Sequence, residues 1–78
     1  MIFLIEYDRQ KERIIKFERF KNSERTKAEN MRLGIELNLN RKKVSHEVVL
    51  LEAATEKKLH RTHNRYFKSL NEMASASS

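Results

Sequence analysis

The apolar positions of this chain fall into groups with different spacings. Ile2-Phe3-Leu4-Ile5-Glu6-Tyr7 is β-branched and aromatic with no helix cap before it, which predicts a strand. Its first four residues are all apolar, so both faces should be covered and the strand should be central in a sheet. Asp8 to Glu12 is short and polar. Without Asn-Gly or Asp-Gly it predicts a four- or five-residue loop around a type I turn led by Asp8. From Arg13 to Phe20, Ile15 and Phe17 share one face with Arg13 and Arg19, while Lys16 and Glu18 share the other with Ile14 and Phe20. That mixture predicts an edge strand in a hairpin with the first. Glu47-Val48-Val49-Leu50-Leu51-Glu52-Ala53 is the densest aliphatic run, and His46 to Ala53 predicts a third, core strand.

Residues 24–40 read two ways. Leu33, Ile35, Leu37 and Leu39 alternate with polar residues or Gly34, a strand pattern. Ala28, Met31, Ile35 and Leu39 also fall on one helical face, with Leu33 and Leu37 nearly opposite. The prevalence of Ala, Met, Arg, Leu, Glu and Lys favours helix. Asn22 or Ser23 would cap it, with Glu24 at the positive end of its dipole. Gly34 costs such a helix about 1 kcal/mol and suits a close approach. Thr55 caps a second helix with Glu56 in its first turn. At ~100° per residue, Leu59, His63, Tyr66, Phe67, Leu70 and Met73 share one face. Lys57, Lys58, Arg61, Arg65 and Lys68 share the other. Residues 74–78 read as a disordered small-residue tail after a single domain spanning 1–73.

The expected fold is α+β, a single small ββαβα domain. A helix between the second and third strands makes those two parallel. The doubly apolar first strand then lies between them, giving a three-stranded antiparallel sheet of order 2-1-3. The first helix covers one face by a right-handed crossover, and the second is expected on that same face. The opposite face would be open and apolar, which predicts a homodimer formed by packing of that face or by pairing at the exposed edge of the third strand. Leu33 and Leu37, the second stripe of the first helix, are its candidate interface. Leu4, Ile5, Val48 and Leu50 should be core.

Composition sharpens this picture. The chain has 78 residues and no Cys, so disulfides and thiolate zinc sites are excluded. A core of this size supplies few kcal/mol alone, and a partner subunit is the expected supplement. Ile2 to Ile5 is too short for a secretory core and no run approaches a membrane span, so a cytoplasmic protein without membrane contact is expected. The net charge is +6 and uneven: nine Lys/Arg accompany seven Asp/Glu in residues 1–40, but eight accompany three in residues 41–68. Arg41, Lys42, Lys43, Lys57, Arg61, Arg65 and Lys68 are therefore candidate phosphate contacts for RNA or DNA, without base recognition. Phe3, Tyr7 and Phe17 would add stacking surfaces if a sheet face were open. A solvated surface and buried aromatics are the competing reading of the same residues.

Catalytic chemistry is weakly signalled. One glycine excludes a Gly-rich phosphate loop, and no Gly-x-Ser-x-Gly elbow occurs. Glu56, His60 and His63, at i, i+4 and i+7, could face one metal ion. The competing reading gives them separate roles: a first-turn acid, a boundary histidine and a half-buried core histidine. No metal site and no cofactor is expected. Asp8, Glu52 and His63 are the other acid–base candidates, but Asp8 and Glu52 belong at opposite ends of antiparallel strands. The expectation is a non-enzymatic interaction module.

The combination of Glu6-Tyr7-Asp8-Arg9, Ser23-Glu24-Arg25 with Ala28-Glu29 and Arg32-Leu33, Glu47-Val48-Val49-Leu50, and Arg61-Thr62-His63-Asn64-Arg65-Tyr66-Phe67 resembles small bacterial proteins of uncharacterised function. The likeness spans about residues 2–68. It implies helix for residues 24–40. It implies no activity and no functional residues.

Overall fold

A strand whose neighbouring side chains are all apolar must be covered above and below, and the computed structural model, which describes residues 1–67, covers it on both sides. Strand β1, Ile2–Asp8, lies between β2, Arg13–Phe20, and β3, His46–Glu52, in the order β2-β1-β3. Both pairings are antiparallel. Ile2 lies opposite both Phe20 and Glu52, and Asp8 lies opposite both Arg13 and His46. The β1–β3 register is unbroken. The β1–β2 register slips at Glu6/Tyr7, where Lys16 and Ile14 are the partners and Ile15 bulges out unpaired. The hairpin loop is residues 9–12, tied by amides of Gln10 and Lys11 donating to Asp8 Oδ1 at 3.0 and 3.1 Å. Glu12 closes it with φ 53°.

Residues 24–40 are helical, not a strand. Helix α1 is Arg25–Lys42, preceded by a 3-10 turn over Asn22–Glu24. The cap is not Asn22 or Ser23. Glu24 Oε1 instead accepts from the Lys21 amide at 2.9 Å, because the 3-10 turn folds the acid back onto the chain before it. At its end Lys43 adopts a left-handed conformation, and the amides of Lys43 and Val44 bond back to the carbonyls of Asn40 and Leu39.

Strand parity divides the core in two. Ile2 and Leu4 pack with Phe20 and with Ala28, Met31 and Ile35 of α1, flanked by Val48 and Leu50. Phe3, Ile5 and Tyr7 point the other way. They pack with Leu59 of helix α2, Glu56–Thr62, and with Tyr66 and Phe67 of the 3-10 turn that follows. The helices therefore lie on opposite faces of the sheet. The expectation of two helices on one face is corrected, and with it the open apolar face. The physical reason is that β1 is apolar at both parities and one helix can cover only one of them. Leu4 and Ile5 are fully buried, while Val48 and Leu50 on the outer strand are partly buried.

The second helix is also shorter than its apolar spacing suggests. The Thr62 hydroxyl donates to the Lys58 carbonyl at 3.0 Å, and the chain leaves the helix at His63, φ −128° and ψ 48°. Leu59, Tyr66 and Phe67 still reach the core from both pieces. Leu70, Met73 and the tail 74–78 lie outside the described residues.

Gly34 faces open space, with nothing within 4 Å of an added Cβ and no positive φ. The fold of this chain needs no close approach there. Gly34→Ala should therefore stabilise the protein by about 0.5–1 kcal/mol, read as a higher urea midpoint at unchanged slope.

Candidate functional site

The register of β1 with β3 brings together a histidine and two acids at one end of the sheet. His46 Nδ1 donates to Glu6 Oε2 at 2.7 Å, and its Nε2 stands 3.6 Å from Asp8 Oδ2. All three side chains are largely covered. The amide of Lys11 does most to hold the Asp8 carboxyl below its usual value; desolvation opposes this, and the Gln10 amide and His46 add to it. Glu6 and His46 border a groove of about 450 Å³ between α1 and β2, which Lys16 and Lys42 also line. Among the described residues no hydroxyl or thiol lines this groove, and both His46 nitrogens already face carboxylates. As it stands, the group ties the start of β3 to the end of β1. Asp8 and Glu52 lie at opposite ends of the sheet, so they share no site.

His60 and Glu56 stay together on α2, with Nε2 3.8 Å from Glu56 Oε1. His63 leaves their row because the helix has ended, and its Nδ1 bonds to the Thr62 hydroxyl at 2.9 Å. Among the described residues no three His, Cys, Asp or Glu side chains are grouped to hold a metal ion. Glu56 is instead engaged by Arg19 at 2.9 Å, and the His60 ring stacks on Phe67 with centroids 3.8 Å apart.

The basic residues do not form one surface. Arg41, Lys42 and Lys43 end α1 on one side of the sheet, while Lys57 and Arg61 project from α2 on the other. All five are exposed, and among the described residues none of them makes an ion pair. Lys57 and Arg61 border a shallow hollow with His60 and Asn64. Arg65 is exposed but engaged: it bonds to Glu47 at 2.7 Å and lies 4.8 Å over the Tyr66 ring. Lys68 lies outside the described residues. Phe3, Tyr7 and Phe17 are packed under the C-terminal layer, with Phe17 against both Phe3 and Phe67, so they offer no open stacking face. Burial, aided by the neighbouring Glu47 carboxylate, pushes the Tyr66 phenol above its ordinary value.

Among the described residues, two places on the surface could take a partner. Leu33 and Leu37 stand on the outside of α1, 54% and 58% exposed. The outer edge of β3 is the other. Sequence spacing alone identified Leu33 and Leu37. His46 and Glu6 escaped it, because only the register of β1 and β3 puts them together.

No protein family, no curated protein and no solved structure matches the chain.

Because the Asp8 carboxyl is held down in the folded state, its contribution is present above the ordinary value of 3.8 and is lost as the pH falls through the lower folded value. The midpoints of the wild type and Asp8→Asn should therefore differ at neutral pH and converge in acid below 3.8. Thermal melts across that range check this.

Proposed function

We propose that the chain is a non-enzymatic, self-associating interaction module of the cytoplasm. The contrast between the two edges of its sheet carries this reading. β2 is protected as soluble edge strands are: Arg13, Lys16 and Arg19 line it and Ile15 breaks its register. β3 is less protected, with its charged residues Glu47 and Glu52 toward its two ends and no basic side chain or bulge between them. It runs seven residues without a bulge, holds four aliphatic side chains in succession, and carries no Lys, Arg or Pro. Among the described residues no segment pairs with its outer side. Such an edge is a template for another strand. Among the described residues no helix is long and apolar enough to cross a membrane.

Light scattering over a concentration series tests the reading. The mass should approach twice the 9.4 kDa of the chain as concentration rises. A mass that stays at one chain throughout would remove it.

The exposed cations of α2 favour a second reading, weak and sequence-independent binding of RNA or DNA. Lys57 and Arg61, one helical turn apart beside His60 and Asn64, are its support. Arg41, Lys42 and Lys43 would contact a different part of the strand. Fluorescence anisotropy at low salt should show binding that salt weakens and that Lys57→Glu with Arg61→Glu removes. A flat titration with both single-stranded RNA and duplex DNA disposes of this reading.

A further inference from the structure

We infer that the partner at the β3 edge is a second copy of this chain, docked antiparallel, so that two three-stranded sheets join into one of six strands with the two α1 helices side by side. This rests on the self-association proposed above and specifies its surface and symmetry.

The charge pattern of α1 complements itself. Its groove-side flank carries Gly34, Asn38 and Lys42, which face Lys16 of β2. The opposite flank overhangs β3. Arg25 there pairs with Glu52 at the end of β3. Arg25, Glu29, Arg32 and Glu36 lie within an arc of about 60° on that flank at ~100° per residue. They form two pairs along the helix, Arg25 with Glu29 at 4.0 Å and Arg32 with Glu36 at 3.2 Å. Read backwards, the signs of this row are inverted. An antiparallel copy therefore sets Arg25 against Glu36, Glu29 against Arg32, and the reverse, with spacings of four, three and four residues that read the same in both directions. A twofold interface requires a surface that complements itself in this way.

The spacings of strands and helices also agree. α1 packs chiefly on β3 and β1. If two β3 strands pair, the centres of the two β1–β3 pairs are two strand spacings apart, about 9.6 Å at ~4.8 Å per strand. Helices in contact pack at about 8–10 Å. Sheet pairing and helix contact are thus satisfied by one docking, with both helices on the same face of the joined sheet.

Charge exchange tests it. Glu29→Arg with Glu36→Arg makes the row all basic, and Arg25→Glu with Arg32→Glu makes it all acidic. Each variant alone should dimerise about tenfold or more weakly than the wild type, the scale of aligned like charges. An equimolar mixture should recover the dimer as a heterodimer, seen by light scattering and native mass spectrometry. The all-basic variant leaves the Arg25–Glu52 pair intact and keeps the test decisive if the all-acidic one fails to fold. Dimers that persist in the all-basic variant would overturn this docking while leaving self-association standing. So would dissociation by Leu33→Glu with Leu37→Glu alone, which would place the contact on the outer stripe. A wild-type mass of one chain at every concentration would overturn the self-association itself.

Discussion

The structure depends on the two-sided burial of β1. Five of its seven side chains are apolar and buried, and they alternate between two layers. Each fully buried residue of this kind contributes roughly 1.5–3 kcal/mol relative to exposure. Neither layer suffices alone. Ile2 and Leu4 need α1, which the chain supplies by crossing over the sheet. Phe3, Ile5 and Tyr7 need the C-terminal layer, which among the described residues is a seven-residue helix and a 3-10 turn. That layer works because it is rich in aromatics: Tyr66 meets Tyr7 edge-on at 5.3 Å, and Phe67 meets Phe17 at 6.0 Å. Arg65 and Glu47 then fasten its far end to β3.

Much of this was legible in the sequence. The apolar run of β1, the charged edge character of β2 and the helix between β2 and β3 together require the order β2-β1-β3. The side taken by α2 was not legible. An amphipathic spacing says that a short helix packs on something apolar, not on which face. The decisive clue lay in β1 and β3, whose apolar residues occupy both parities. That clue admits two solutions, a partner subunit or the chain's own C-terminal segment, and the chain uses its own. The end of α2 was hidden for a related reason. Tyr66 and Phe67 keep the helical spacing from Leu59 although a helix no longer connects them.

The basic residues show the limit of reading charge along a chain. Arg41, Lys42 and Lys43 stand 14 or more positions before Lys57 and Arg61, and the sheet lies between the two groups. Arg65 looked like a continuation of the α2 row, yet Glu47 takes it up, and Arg9 lies 3.7 Å from the same carboxylate. The groups that do meet, His46 with Glu6 and Asp8, are nearly forty positions apart and are joined by strand register alone.

With both faces of the sheet covered, self-association can no longer be argued from missing cover for the core. The edges remain, and there the chain treats its two outer strands differently. Protecting an edge requires only a lysine or a bulge, and β2 has both. β3 keeps Val48, Val49, Leu50 and Leu51 in an unbroken register, each partly exposed. A domain this small buries only about 60% of its unfolded surface, so strand addition is the way to gain buried area without changing the fold. The neighbouring flank of α1 adds a constraint that a generic sticky edge lacks. A row of charges that inverts when read backwards repels a parallel copy in register and accepts an antiparallel one, so orientation would be set by α1 and area by β3.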